Sequence, residues 1–245
     1  MNRIRLDQAL VQRKHLQSRS QAENYIKLGK VFVNKEVVTK PGHLVAHQDE
    51  IELTQKELYV SRAGLKLAGV SPNFKLNMKD KLVLDVGSST GGFTDYALKH
   101  GAKRVVAVDV GTNQLHPSLK NHPKIELHEK TDIRDFKPSV KPDIILIDVS
   151  FISLRKVLPA INRLSKVSTQ IVALLKPQFE AGKADINRGV VKNDTIRRQI
   201  LKNFEQWVKS SFLVAGKADS EVSGARGNQE RFYLLKIFKN PASRH

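Results

Sequence analysis

The 245-residue sequence contains no cysteine and no long apolar run. A chain without cysteine forms no disulfide, no thiolate zinc site and no cysteine nucleophile. No stretch approaches the roughly 18 uninterrupted apolar residues of a membrane span, and residues 1 to 15 lack the apolar core of a signal peptide. These absences lead us to expect a soluble, cytoplasmic protein with no metal site and no membrane partner.

Acidic residues are scarce relative to basic ones. The sequence holds 42 Lys and Arg residues against 24 Asp and Glu residues, which gives a formal net charge of +18. Such an excess predicts polyanionic partners, although a lysine-rich composition would account for part of it. Clustering favours a nucleic-acid partner, because residues 3 to 35 carry eight basic side chains against only Asp7 and Glu23.

A glycine-rich turn follows an apolar run in the middle of the chain. Leu82 to Val86 predict a strand that is buried on both faces, although the run includes Asp85. The chain then reads Gly-Ser-Ser-Thr-Gly-Gly from Gly87, and apolar residues recur at helical spacing from Phe93. A strand, a glycine turn and a helix in this order predict a cradle for a nucleotide-like ligand. An ordinary turn with glycines for packing is the alternative.

The glycine spacing distinguishes between two classes of ligand. The dinucleotide fingerprint is G-x-G-x-x-G, and here its second glycine is replaced by Ser89. Asp85 would also lie close to a bound pyrophosphate. A zwitterionic cofactor without phosphate, S-adenosylmethionine, fits this loop better. The predicted cofactor-binding residues of this region are Asp85, Gly87, Ser88, Gly91, Gly92 and Phe93.

Aspartates follow three further predicted strands. Asp109 ends the apolar run 104–110, and a carboxylate there would bind the cis-diol of a ribose; a helix N-cap is the alternative. Asp132 follows a third predicted strand, where it would accept a hydrogen bond from an adenine amino group or serve as a turn residue. Asp148 lies at the carboxyl end of a fourth buried strand, the edge at which open α/β sheets bind ligands. We predict that all three bind the cofactor.

Two lysines and a glutamate stand at conspicuous positions. Lys66 lies among apolar residues of a predicted helix, where partial burial would favour the neutral amine; a lysine whose ammonium reaches solvent is the commoner arrangement. Lys176 stands at the carboxyl end of a fifth strand, which a proline terminates. Glu230 ends the connection between two last strands, 212–215 and 231–238, which would close the sheet as an antiparallel pair. The succession of strands and helices predicts an α/β fold.

The amino-terminal segment predicts a small α+β module. Apolar residues at helical spacing and a capping box from Ser20 to Glu23 predict two helices, and a hairpin about Asn34 and a further strand follow. The sequence of residues 3 to 53 resembles the S-four RNA-binding domain, named for a ribosomal protein. The resemblance implies RNA contacts, whereas a solvated basic surface is the alternative for any one residue. The implied RNA-binding residues are Arg5, Arg19, Lys27 and Lys30.

The motifs of the remaining chain resemble those of one enzyme family. SRAGLKL, DVGSSTGGFTD, DVSFISL, LLKPQFEAG and GNQE are similar to motifs of the TlyA-type ribosomal RNA methyltransferases, relatives of the FtsJ-type ribose methylases. The resemblance implies a Rossmann-like methyltransferase sheet, S-adenosylmethionine as cofactor, ribosomal RNA or ribosomal subunits as partner, and 2′-O-methylation of cytidine. It also implies a catalytic tetrad, in which Lys176 is our candidate for the base. The tetrad residues are Lys66, Asp148, Lys176 and Glu230.

Three other functions are open at this stage. Methylation of an RNA base would use the same cofactor loop, although the Asn-Pro-Pro-Tyr-like motif of amino-group methylation is replaced here by Asp-Val-Ser-Phe. A non-catalytic RNA-binding protein is a second alternative. A cytolysin is a third, because relatives of this family have carried a haemolysin label. The predicted organisation is an S-four-type domain over residues 1–54, a linker over 55–61 and a methyltransferase domain over 62–245.

Overall fold

The computed structural model describes residues 3–16, 18–27, 29–54, 59–224 and 226–238. The chain divides into two compact units, Met1–Arg62 and Ala63–His245. The division falls one residue beyond the end of the predicted linker 55–61, of which residues 55–58 lie outside the described residues. Among the residues described, no helix combines the length and the apolar character that a bilayer crossing requires.

The first unit is an α+β module. Its helices are α1 (Leu6–Gln12) and α2 (Arg19–Lys27), and its strands are β1 (Ile4–Arg5), β2 (Val31–Val33), β3 (Glu36–Val37), β4 (Leu44–Val45) and β5 (Ile51–Leu53). Strands β3, β2 and β5 form an antiparallel sheet in that order, and β1 pairs with β4. The turn between β2 and β3 holds Asn34 and Lys35 at positive φ, as expected of a tight hairpin.

The start of α2 differs from the sequence prediction. Ser20, the predicted cap, is the second residue of the helix. Ser18 precedes the helix, and its Oγ accepts a hydrogen bond from the Gln21 amide at 3.2 Å. Both serines stand close before the same apolar face, so the sequence pattern alone does not distinguish the two caps.

The second unit is built on a seven-stranded sheet. Its strands, in chain order with one separate hairpin (β11–β12), are β6 (Leu82–Val86), β7 (Arg104–Val108), β8 (Ile125–His128), β9 (Ile144–Ile147), β10 (Gln170–Leu175), β11 (Ile186–Asn187), β12 (Val190–Val191), β13 (Phe212–Asp219) and β14 (Arg231–Ile237). The order across the sheet is β8-β7-β6-β9-β10-β14-β13. Strands β6 to β10 are parallel, whereas β14 is antiparallel to both of its neighbours. The predicted α/β fold with an antiparallel closing pair is confirmed.

Helices cover this sheet, and their apolar faces form its core. They are α3 (Arg62–Phe74), α4 (Gly92–Lys99), α5 (Leu154–Leu164), α6 (Pro177–Glu180) and α7 (Asp194–Val208), with single 3₁₀ turns at Pro117–Leu119 and Lys183–Asp185. Helix α7 buries Ile200, Leu201, Phe204 and Val208, which recur at helical spacing. Strand β13 runs four residues beyond the predicted 212–215, because it is an edge strand whose alternate residues face solvent.

Candidate active site

The glycine loop lies at the carboxyl end of β6, in the middle of the parallel strands. Gly87 has a positive φ of 79°, and a Cβ atom there would lie 2.8 Å from the backbone oxygen of Asp148. Gly91, which precedes α4, has a φ of 89°. A side chain at Gly87 would therefore clash with the backbone after β9, which explains the glycine at this position.

Asp85 is buried beneath the loop and has an unsatisfied oxygen. Its Oδ2 accepts a hydrogen bond from Thr94 Oγ1 at 2.6 Å, whereas its Oδ1 has no hydrogen-bond partner. Burial raises the pKa of this carboxyl to about 7, and the hydrogen bond from Thr94 offsets only part of the effect. Ser88 Oγ is also buried without a partner. These two groups are available to polar atoms of a ligand.

A cavity of about 300 Å³ opens beside the loop. Its walls come from the residues that follow β6, β7, β8 and β9, so it lies at the carboxyl edge of the sheet. Of the predicted cofactor residues, Gly87, Asp109, Asp132 and Asp148 line it. The other predicted cofactor residues are not part of its walls; these are Asp85, Ser88, Gly91, Gly92 and Phe93. Phe93 is buried on α4, with its ring centroid 6.2 Å from that of Phe232.

Two of the three aspartates of the cavity wall, Asp109 and Asp132, are held by different partners. Asp109 Oδ2 accepts a hydrogen bond from the Ser89 amide at 2.8 Å, and its Oδ1 accepts one from the Gly111 amide at 2.7 Å. Asp132 binds the Arg134 guanidinium through both oxygens and also accepts from the Arg134 amide. Hydrogen bonding to Arg134 lowers the pKa of Asp132. Asp132 is thus a turn residue and a cavity residue at once.

The four predicted tetrad residues form two lysine–carboxylate contacts. Lys66 Nζ donates to Glu230 Oε2 at 2.5 Å, and both side chains are buried. Lys176 Nζ lies 2.6 Å from Asp148 Oδ1, outside hydrogen-bond geometry, and donates to Ser150 Oγ at 2.8 Å. Since β14 begins where β10 ends in the antiparallel register, Glu230 reaches the same edge as Lys176.

Phe151 is an exposed aromatic residue that the sequence analysis did not select. Its side chain is 92% exposed, its backbone has a φ of 65°, and its ring centroid lies 5.2 Å from that of Phe179. A bulky residue in the left-handed region is uncommon and often marks a ligand site. The available sequence signal was an aromatic residue three positions after Asp148.

Two buried polar residues tie the motifs together, and the sequence analysis missed both. Glu180 accepts hydrogen bonds at 2.6 Å from Ser153 Oγ and from the Leu154 amide, so it joins the segment after β10 to the start of α5. Asn228 accepts from the Val191 amide at 3.0 Å and donates to the Gly189 carbonyl at 2.9 Å. It thereby attaches the β11–β12 hairpin to the loop that carries Glu230.

In the first unit, the predicted RNA-binding residues differ in their surroundings. Arg5 and Arg19 both bind the buried carboxylate of Asp7, at 3.0 Å and 2.9 Å. Lys27 lies 3.6 Å from Glu23, one helical turn away on the surface. Lys30 forms no ion pair with any described residue. The structure therefore brings the two arginines together at one carboxylate and leaves the two lysines separate from them.

Family models match both units of the chain. Residues 59–238 match the FtsJ-like methyltransferases, and residues 4–51 match the S4 domain, the S-four domain of the sequence analysis. The chain is 39% identical to a protein called Hemolysin A from Brachyspira hyodysenteriae, over 93% of this chain and 97% of that protein.

Two further similarities span nearly the whole chain. It is 36% identical to the 16S/23S rRNA (cytidine-2′-O)-methyltransferase TlyA of Mycobacterium tuberculosis, over 96% of this chain and 90% of that protein. A solved structure from Streptococcus thermophilus, provisionally described as a hemolysin, superposes with a TM-score of 0.72 at 37% identity, over 98% of this chain and 90% of that one. The chain therefore belongs to the FtsJ-like methyltransferase family.

Proposed function

We propose that the protein transfers a methyl group from S-adenosylmethionine to the 2′-hydroxyl of a cytidine in ribosomal RNA. The observation that carries this proposal is the double role of Asp148, which lines the cavity and also contacts Lys176. A cofactor site and a candidate proton acceptor thus meet at one residue. The relative from Mycobacterium tuberculosis is named for the same reaction on 16S and 23S rRNA. A ribosomal RNA substrate implies a cytoplasmic enzyme.

The residues that line the cavity, together with Asp85 and Ser88 at the adjoining glycine loop, fit S-adenosylmethionine. Asp85 Oδ1 and Ser88 Oγ are buried without partners and would bind the charged amino-acid part. Asp109 keeps free lone pairs beyond its two backbone contacts, so it would accept hydrogen bonds from the ribose hydroxyls. Asp132 would lie near the adenine. When bound, the cofactor supplies an electrophilic methyl group, already activated by its sulfonium.

The chain must then align the substrate hydroxyl and accept one proton. Alignment contributes roughly 7 to 11 kcal/mol in favourable cases, and a general base contributes a further factor of about 100 to 10,000. We assign the base role to Lys176, whose amine is held by Ser150 and Asp148 at the cavity edge. The more deeply buried contact between Lys66 and Glu230 would hold the neighbouring wall of the site in place.

The exposed ring of Phe151 suits a single-stranded nucleotide. Unstacked RNA bases stack on exposed aromatic side chains, and each such contact contributes about 1 to 3 kcal/mol. Phe151 stands between Ser150, which binds Lys176, and the start of α5. A base stacked on this ring would bring its own ribose toward Lys176.

The first unit would bind the RNA backbone through Arg5, Arg19, Lys27 and Lys30. Asp7 orients the two arginines, while each keeps about half of its side chain exposed. A guanidinium that is fixed in this way would meet a phosphate with less loss of side-chain entropy than a free one. RNA binding should accordingly weaken as the salt concentration rises.

The test is methyl transfer to purified ribosomal subunits from a strain that lacks the enzyme. Labelled S-adenosylmethionine supplies the methyl group, and the modified position is mapped by alkaline hydrolysis. A 2′-O-methyl ribose cannot attack the adjacent phosphodiester, so the proposal requires an alkali-resistant linkage next to a cytidine. Label on a nucleobase would favour base methylation instead. Lysis of erythrocytes without methyl transfer would favour a cytolysin.

A further inference from the structure

The second unit has another concave surface, and cations dominate it. A cleft of about 590 Å³ lies between the segment after β8 and the last turn of α5. Four of its five charged residues are basic. We call it the basic cleft; its lining residues are Arg134, Asp135, Phe136, Lys137, Pro138, Lys141, Arg163 and Leu164.

Three cations of the basic cleft have no carboxylate partner. Arg163 donates to the backbone oxygens of Arg134 at 3.2 Å and Pro159 at 3.4 Å, and Lys141 Nζ donates to the Ser165 oxygen at 3.0 Å. In the described part of the chain, no ion pair involves Arg163, Lys141 or Lys137. Carbonyl oxygens hold Arg163 and Lys141 in position without cancelling their charges. These two charges and that of Lys137 therefore remain available to an external anion.

The charge pattern close to the cleft is different. Arg134 is neutralised by Asp132 at 2.6 Å, and Lys166 lies 2.6 Å from Asp143. Within the cleft, Arg134 is thus paired, and the three cations Lys137, Lys141 and Arg163 outnumber the one lining acid, Asp135, so the cleft keeps a net positive charge. A concave site lined by one sign of charge concentrates the electrostatic potential and attracts polyanions.

Helix α5 begins near the carboxyl edge of the sheet, where the cavity lies, and ends at the basic cleft. Its N-cap, Ser153, binds Glu180 and follows Phe151 by two residues, whereas Arg163 lies in its last turn. The helix has 11 residues with three basic and no acidic side chains, and a helix of this length spans roughly 16 Å. Lys156 and Arg163 are exposed along it. Two exposed cations, Lys156 and Arg163, thus lie along the helix that runs to the cleft, whereas Arg155 is paired with Glu180.

We propose that the basic cleft binds the sugar–phosphate backbone of the substrate RNA, one helix length from the nucleotide that is methylated. The inference rests on the proposed function, because it takes RNA to be the substrate. It adds a contact within the catalytic unit to those expected of the S-four domain. Backbone binding of this kind carries no sequence information but sets the register of the RNA.

The test compares two triple variants in binding to small and large ribosomal subunits, titrated separately over a range of salt concentrations. In the first, Lys137, Lys141 and Arg163 are each replaced by glutamine. The matched control replaces Lys79, Lys103 and Lys124 by glutamine, which removes the same charge from exposed residues outside the cleft. The salt slope is the slope of the logarithm of the RNA-binding constant against the logarithm of the salt concentration, and each phosphate contact adds about 0.7 to 0.9 to its magnitude. We therefore expect the magnitude of the slope to be smaller by roughly 2 to 3 in the cleft variant than in the wild type.

The control should lose less than half as much slope, and both variants should bind S-adenosylmethionine as the wild type does. In turnover, the cleft variant should show a higher KM for the subunits with nearly unchanged kcat. Equal losses in the two variants would overturn the inference, since the effect would then be net charge alone. An unchanged slope in the cleft variant would also overturn it. Failure of the proposed function would appear separately, as absent methyl transfer by the wild-type protein.

Discussion

Two buried aspartates, one in each unit, have opposite electrostatic environments. Burial alone would raise the pKa of Asp7, but hydrogen bonds from Arg5 and Arg19 outweigh it and lower the pKa to about 2. Asp85 is likewise inaccessible to solvent but lies deeper in the protein, and Thr94 is its side-chain donor, so burial raises its pKa to about 7. The difference lies in the depth of burial and in the cations: among the described residues, two arginines bind Asp7 and none binds Asp85.

A buried carboxylate without a cation is costly, and such groups persist mainly at functional sites. The partners of Asp7 are part of the chain, and they complete a structural ion cluster. The partner of Asp85 would come from outside, and the ammonium group of S-adenosylmethionine has the required charge. The comparison therefore distinguishes a cluster whose partners all belong to the chain from a site that, under the proposed function, a ligand would complete.

The largest effect is expected at Lys176, whose amine nitrogen lies 2.6 Å from Asp148, an acid of the cavity wall. If the lysine accepts the substrate proton, Lys176→Ala should slow methyl transfer by at least about 100-fold. Lys176→Arg should fail as well, because arginine retains the positive charge but does not deprotonate near neutral pH. Single-turnover transfer to ribosomal subunits at several pH values measures both.

Lys166→Ala is the matched control for Lys176. Lys166 Nζ also lies 2.6 Å from an aspartate, Asp143, but it does not line the cavity. Its loss should leave the transfer rate within about twofold of wild type, as expected for a half-exposed ion pair. A wild-type rate for Lys176→Arg would show that the lysine acts by its charge, and the base would then be another group.

The next effect is expected at Asp85. A hydrogen bond between charged groups contributes about 1.5 to 3 kcal/mol, so Asp85→Asn should weaken S-adenosylmethionine binding by roughly 10- to 100-fold. Wild-type affinity should fall as the pH drops below about 7, where Asp85 takes up a proton, whereas the variant should lack this dependence. Calorimetry between about pH 5 and pH 8 measures it, with Asp80→Asn as the exposed control.

The same variant has a predicted effect on stability. The folded-state pKa of Asp85 lies above its ordinary value of 3.8, so its contribution to stability is present at low pH and is lost as the pH rises through about 7. The ligand-free Asp85→Asn protein should therefore be more stable than wild type at about pH 8, and the advantage should vanish near pH 4. A variant that is less stable at both pH values would contradict the view of Asp85 as an incomplete site.

Asp7 should show the opposite dependence. Its folded-state pKa of about 2 lies below the ordinary 3.8, so its contribution is present above pH 4 and is lost as the pH falls through about 2, with a magnitude of about 2 kcal/mol. Asp7→Asn should lower the stability of the first unit at neutral pH and remove this acid sensitivity. Urea unfolding of the full chain measures it, with Glu23→Gln as the surface control.

Sequence patterns predicted the local parts of this molecule well. A run of continuous apolar residues is enough to predict a buried strand such as Ile144–Ile147. Backbone sterics are enough to predict a turn at Gly87, because glycine adopts a positive φ readily. The contact between Lys66 and Glu230 joins residues that are 164 positions apart. No periodicity reports such a distance, and only the resemblance to a family placed the two in one tetrad.

Side-chain environments were beyond the sequence patterns for a similar reason. The sequence patterns identified Asp7 only as one of two acids within a basic segment, yet its buried carboxylate binds two arginines of that segment. Phe151 would be assigned to a core by its hydrophobicity, yet it is exposed and its backbone takes the left-handed conformation. Both depend on how distant segments pack, and composition and spacing do not encode that directly.

The smallest effect on stability is expected at Lys27, whose ion pair with Glu23 is a surface counterpart of the cluster at Asp7. The two groups lie 3.6 Å apart and are 61% and 40% exposed, and exposed pairs one helical turn apart contribute at most about 0.5 kcal/mol. Lys27→Gln should therefore leave the urea midpoint nearly unchanged.

If Lys27 contacts a phosphate, the variant should still lower the salt slope of RNA binding by about 1. Lys14→Gln, an exposed lysine outside the predicted RNA-binding set, is the control. Equal salt slopes in wild type and Lys27→Gln would show that Lys27 does not contact the RNA. The two arginines held by Asp7 would then remain in the predicted RNA-binding set.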